Sequence, residues 1–284
     1  KMLRRTPRLL SSHGYPSSAY SYDNVQRKLK LSLLDSFSEL ECSSRIQLAA
    51  AYRYFYDQSW TDTIYGHLTA RLPTSNDDED DDFLINPFGL SYNEMTASSL
   101  LRVSSNGSIV HSGSLDSLFP YNRAGFLLHK AIHQARDDIH AVMHCHEPHA
   151  VAVACSSKGL VQSSQSSHIL GPISYHDYEG IVSQEDELLR LQNNLLPASK
   201  VIILKNHGVV TLGSSIAESL LLMHYLVESC KYQVHLNDTP LSSFHPHLTS
   251  VTHSIAHSFN QEGFGVKELS AYMRHLDAQQ SSFR

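Results

Sequence analysis

Ala141-Val142-Met143-His144-Cys145-His146-Glu147-Pro148-His149 is an apolar run that ends in a His-x-His pair, and it reads as a buried strand. Side chains two residues apart on a strand share a face, so His144 and His146 aim both imidazoles at one point. Neutral imidazole is a common ligand for zinc and related metals. A third imidazole, His207, stands in Lys205-Asn206-His207-Gly208, directly after the apolar run Val201-Ile202-Ile203-Leu204. Three histidines from two strand ends leave a fourth position open, as catalytic metal sites do. The competing reading is that a chain with 19 histidines contains a His-x-His pair by chance, and that these are packing residues.

At 284 residues the chain can bury a substantial core, which favours one domain with extensions over two domains. Charged residues are 18% and hydrophobic ones 41%, ordinary for a soluble protein. A net charge of −6 and a pI near 6.3 argue against broad binding to nucleic acid or to an anionic membrane. No apolar run approaches the length of a membrane span. Cys42, Cys145, Cys155 and Cys230 show no CxxC spacing and suit a reducing, intracellular compartment.

Three segments are expected: a basic arm over 1–24, a main domain over 25–240 and a polar, His-rich extension with a short helix over 241–284. The arm carries Lys1, Arg4, Arg5 and Arg8, is rich in Ser, and meets its first acid only at Asp23. That is the composition of a mitochondrial transit peptide or of an ordinary disordered arm. The first implies mitochondria, the second cytoplasm or cytoskeleton.

Periodicity predicts a short helix over 25–36 and a stronger one up to about Asp57, capped by Ser43 or Ser44, with Leu48, Tyr52 and Phe55 on its core face. Alternation predicts a strand over 63–72. The acidic run at 77–82 reads as a solvated hairpin loop. Asn106-Gly107 marks a hairpin. A helix over 123–135 turns Leu128, Ile132 and Ala135 to the core and leaves His129 and His133 at a surface or interface. A short helix follows Pro148, 163–167 is a polar loop, and 173–178 is a strand. Helices over 184–195, 216–236 and 267–276 complete the chain. It contains neither a Gly-rich phosphate loop nor a Gly-x-Ser-x-Gly elbow.

From about Ser43 to Leu236 the sequence resembles the class II aldolase and adducin-head family. The anchors are Tyr65-Gly66-His67-Leu68-Thr69-Ala70-Arg71, Leu84-Ile85-Asn86-Pro87-Phe88-Gly89-Leu90, Ala124-Gly125-Phe126-Leu127-Leu128-His129, the His144/His146 pair, Tyr175-His176-Asp177-Tyr178 and Leu204-Lys205-Asn206-His207-Gly208. The resemblance implies an α/β fold, a three-layer α/β/α sandwich with a mostly antiparallel central sheet. It also implies a homo-oligomer, often a tetramer, with a metal held by His144, His146 and His207 near a subunit boundary.

Members that cleave sugar phosphates use zinc to stabilise an enediolate, a nearby glutamate to move the proton, and small polar residues to hold phosphate. This chain departs from that pattern. Gly125 stands where the resemblance places the glutamate, Gly66-His67-Leu68-Thr69 replaces a Gly-Asn-Ile-Ser phosphate element, and Phe88-Gly89 replaces a Ser-Gly. An ordinary sugar-phosphate aldolase is therefore not expected.

Two functions remain. One is an enzyme with Zn2+ or another divalent transition metal on His144, His146 and His207. It acts on a small non-phosphorylated hydroxy-carbonyl compound by lyase or epimerase chemistry, with Glu147, His176, Asp177 or Tyr178 standing in for the glutamate. The other is a non-catalytic oligomeric scaffold of adducin-head type, linked to actin and spectrin.

Overall fold

The alternating run around Leu68 and the continuous apolar runs near 141–145, 201–204 and 208–213 condense into one sheet, because each must bury its apolar side chains. The computed structural model describes residues 33–72, 81–115, 118–177, 180, 185–236, 263–279 and 282–284. The 1–24 arm, most of the 25–36 helix, the acidic residues 77–80, Tyr178 and 241–262 of the extension lie outside the described residues.

The sheet has eight strands: β1 (Leu68–Leu72), β2 (Asp82–Ile85), β3 (Leu101–Ser104), β4 (Ile109–His111), β5 (Ala141–Cys145), β6 (Ile173–His176), β7 (Val201–Leu204) and β8 (Gly208–Gly213). Their order is β4-β3-β2-β1-β5-β8-β7-β6, and every neighbouring pair is antiparallel except β6 with β7. The helices are α1 (Glu39–Asp57), α2 (Arg123–Ala135), α3 (Pro148–Ala154), α4 (Gln165–Ile169), α5 (Glu185–Asn194), α6 (Ile216–Leu236) and α7 (Val266–Ala278). Residues of α1, α3, α6 and α7 pack on one face with Leu68, Ala70, Ala141, Met143 and Val209. Leu128 and Ile132 of α2 and Leu191 of α5 pack on the other with Val142, Val210 and Leu212. This is the three-layer sandwich with a mostly antiparallel sheet that the resemblance implied. The two-residue period of β5 sends Met143 into the first layer and turns His144, with Val142, toward α2.

Local expectations needed correction in several places. Helix α1 begins at Glu39, where Ser38 accepts a hydrogen bond from the Glu41 N–H at 3.2 Å, so Ser43 and Ser44 lie inside the helix. Glu39 and Glu41 in its first turn suit the positive end of the helix dipole. The first strand starts only at Leu68, since Thr63 turns the chain with φ 51°. The polar stretch at 163–167 is a capped turn of helix, with Ser164 and Ser167 capping each other. Ala135 is exposed, whereas His129 and His133 are buried to 0% and 1% exposure and are not surface residues.

Candidate metal centre

His144 is the penultimate residue of β5, His146 lies just past its end, and His207 closes the tight turn between β7 and β8. Asn206 takes the left-handed conformation that this turn requires, at φ 57°. The Asn206 N–H is pinned to the Ala154 carbonyl at the end of α3 (3.0 Å). Antiparallel pairing of Cys145 with Val209 then brings the two strand ends side by side. One ring nitrogen of each histidine lies within 4.8 Å of those of the other two.

The ring orientations follow from hydrogen bonds on the far side of each imidazole. His144 Nδ1 donates to the Val209 carbonyl (3.0 Å), which leaves Nε2 as a lone pair. His146 Nδ1 donates to Asp62 Oδ2 (2.9 Å), and its Nε2 is buried without a hydrogen-bond partner. A buried, unpartnered ring nitrogen beside two further imidazoles is what a metal would satisfy. Burial pushes His144 well below its ordinary range, and burial together with His146 lowers His207 to about 4. Both are therefore neutral ligands at pH 7. The donor set fits a divalent transition metal with an open coordination position.

Gly208 makes the close approach feasible. A Cβ there would sit 2.6 Å from the Cys145 carbonyl oxygen and 2.8 Å from His146 Cδ2. Gly208→Ala is expected to force β8 away from β5 at a cost of about 1–3 kcal/mol. Urea denaturation and metal content of that variant check this; wild-type values for both would refute the close approach.

The other candidates lie elsewhere. Glu147 is the N-cap of α3: its Oε2 accepts from the N–H groups of His149 (2.8 Å) and Ala150 (3.0 Å), and its Oε1 meets His149 Nδ1 at 2.7 Å. Both oxygens are thus committed to the helix start. His176 and Asp177 sit at the end of β6, the sheet edge, where the His176 carbonyl accepts from the Lys205 N–H (2.8 Å) at the start of the turn that carries His207. His176 Nδ1 meets Asn194 Nδ2 at 3.1 Å, and exposed Asp177 pairs with Lys205 at 2.6 Å.

A second histidine cluster adjoins the triad instead. His67 stacks on His144 with ring centroids 5.0 Å apart, and His67 Nδ1 lies 3.1 Å from His129 Nε2. His129 Nδ1 lies 2.9 Å from Thr69 Oγ1, which lies 3.1 Å from His133 Nε2. Sequence spacing placed His129 and His133 at a surface or interface, because nothing in it announces that β1 faces α2. The i, i+4 pair His129/His133 was the available signal.

The chain matches the family described as class II aldolase and adducin N-terminal domain over residues 46–234. It is 40% identical over 278 residues to an adducin-related protein of Schizosaccharomyces pombe, covering 95% of this chain and 85% of the relative. The chain belongs to the class II aldolase and adducin family. A solved family structure, an aldolase II superfamily protein from Pseudomonas syringae, superposes with a TM-score of 0.80 at 34% identity over 88% of this chain and 98% of that one. An L-fuculose 1-phosphate aldolase from Glaciozyma antarctica superposes with 0.72 at 26% identity, over 91% and 98%. Rat alpha-adducin is 44% identical over 190 residues, 67% of this chain but 25% of the adducin. Among the described residues no helix is long and apolar enough to cross a membrane.

Proposed function

We propose that the protein is a divalent-metal-dependent enzyme, with lyase or epimerase chemistry on a small non-phosphorylated hydroxy-carbonyl compound. The observation that carries the reading is the buried, unpartnered Nε2 of His146 beside His144 and His207. A metal held there, most simply zinc, supplies Lewis acidity to a carbonyl or hydroxyl oxygen. His144, His146 and His207 hold it, while the Val209 carbonyl and Asp62 set the ring orientations from behind. The absence of a phosphate handle is supported by Phe88, whose ring packs 5.6 Å from Tyr65 where a hydroxyl would be needed. His67 likewise replaces an amide by an imidazole already engaged with His129.

Plasma mass spectrometry of the purified protein is the test. About one transition metal per chain is expected, lost in His144→Ala/His146→Ala and in His207→Ala. Unchanged metal in His207→Ala overturns the ligand set. No metal in the wild type, even after reconstitution, overturns the enzyme reading.

The second reading is favoured by the 40% identity to an adducin-related protein: an oligomeric scaffold that contacts actin or spectrin. Cosedimentation with actin filaments at physiological salt separates the two. In either case we infer a homo-oligomer, a tetramer by family resemblance, which light scattering on the eluting protein checks.

A further inference from the structure

Gly125 lies in the first turn of α2, where its N–H donates to the Asn122 cap at 3.2 Å. A Cβ on it would lie 2.1 Å from His67 Cδ2 and 2.2 Å from His67 Nε2. The His67 ring therefore fills the space a side chain at position 125 would need. It does so stacked on the triad residue His144, with ring centroids 5.0 Å apart.

The hydrogen bonds behind His67 determine which of its nitrogens carries the proton. At the far end, the Ile139 carbonyl can only accept, so His133 Nδ1 (3.2 Å) is the donor. Burial and the Arg71 cation lower His133 to about 3, and burial lowers His129 well below its ordinary range, so both rings are neutral. A neutral His133 protonated on Nδ1 has a bare Nε2, which accepts from the Thr69 hydroxyl. Thr69 Oγ1, having given its hydrogen, accepts from His129 Nδ1. His129 Nε2 is then bare and accepts from His67 Nδ1. Each bond leaves one choice for the next, and the chain ends with a lone pair on His67 Nε2. That atom has no hydrogen bond to any described residue.

We propose that His67 Nε2 is the hydrogen-bond acceptor of the metal pocket, receiving the O–H of a hydroxyl-bearing chelating ligand, and that His129, Thr69 and His133 are positioning residues that lock its tautomer. This rests on the metal-site reading above. It deepens that reading by requiring a free hydroxyl on the ligand, next to the carbonyl that meets the metal. A neutral imidazole presented by a glycine thus takes the place that the family resemblance assigns to a carboxylate.

The first arm of the test needs no metal. Long-range nitrogen–proton NMR of the histidine-labelled, metal-free protein should show His67, His129 and His133 each protonated on Nδ1 alone. An Nε2-protonated His67 overturns the proposal whatever the fate of the metal site. Thr69→Val should abolish the single tautomer at His67 while leaving metal content at the wild-type level, and Thr69→Ser should restore it. A single Nδ1–H tautomer persisting in Thr69→Val removes the positioning role.

The second arm uses the cobalt-loaded protein, hydroxyacetone and its methyl ether methoxyacetone, followed by the visible cobalt spectrum. Hydroxyacetone should bind about fivefold to tenfold more tightly, as one unmatched hydrogen bond implies. The preference should fall to about one in His67→Phe at unchanged cobalt content. Equal binding of the two ketones by the wild type overturns the proposal, and failure to load cobalt overturns the metal reading instead. Gly125→Ala, which pushes the His67 ring aside, should destabilise the fold. Adding His67→Gly should restore stability; no restoration means that the two positions do not share one space.

Discussion

Chelator-treated protein is expected to lose stability steeply between pH 6.5 and about pH 4, because His129 and His133 are held neutral inside the fold. Burial is the main cause for both; neighbouring histidines add to it for His129 and the Arg71 cation for His133. In the unfolded chain each regains its ordinary value of 6.5. Above that value both states are neutral and the stability is fully present. As pH falls below 6.5 the unfolded state binds protons that the folded state refuses, and stability is lost until the folded value, about 3 for His133, is reached. Each such histidine contributes a slope of about 1.4 kcal/mol per pH unit, so the pair removes about 5–6 kcal/mol over two units. That is comparable with the whole stability of many domains, about 5–15 kcal/mol. Urea midpoints at pH 7, 6 and 5 provide the measurement, since carboxylates titrate mainly below this interval. Calorimetry at pH 5 in buffers of different ionisation heat should show uptake of at least about two protons on unfolding. Midpoints that stay level from pH 7 to 5 would mean that both rings reach protons without unfolding.

Removing the charge of Arg45 should cost about 3–5 kcal/mol. Its side chain is fully buried in α1. Arg45 Nε donates to Glu41 Oε1 at 2.8 Å, and Nη1 donates to the carbonyls of Ala97 (3.2 Å) and Leu100 (2.7 Å). Glu41 in turn accepts from Arg102 Nη1 at 3.0 Å, and Arg102 Nε reaches Asp82 Oδ2 at 2.5 Å. The cluster ties α1 to the loop before β3 and to β2. The guanidinium stacks on the Phe37 ring at 4.0 Å, so Arg45→Met keeps much of the volume and removes the donors. The variant strands two buried carbonyls and leaves Glu41 with one cation instead of two. Denaturation of Arg45→Met, Glu41→Gln and the double variant tests this. The double variant should cost clearly less than the sum of the singles, because Glu41→Gln relieves the stranded carboxylate. A loss below about 1 kcal/mol for Arg45→Met would place this pair among weak surface bridges.

Much of the architecture was legible in the residue pattern. The helices at Arg123–Ala135 and Ile216–Leu236 carry it in their bounds, and the apolar runs at Ala141–Cys145 and Val201–Leu204 are strands as their composition requires. His144 and His146 read as a pair because a strand's two-residue period is purely local, and His207 joined them by standing at the end of a second apolar run. The cap of α1 was misplaced because Ser38, Ser43 and Ser44 are equivalent cap residues by type, and only the Ser38 hydroxyl meets a free helix N–H. Which strand His176 and Asp177 lie against was not legible, because strand order is not a property of any one strand.

The amino-acid sequence alone determined the family and the strand-end histidines, since each depends on residue type at fixed spacing. Only the tertiary structure decided that His129 and His133 are buried, that Glu147 caps a helix, and that His67 lies over Gly125. His67 and His129 are 62 residues apart, and a ring nitrogen is a donor or an acceptor according to the partner it meets. That partner exists only once β1 has paired with β5 and α2 has closed over both.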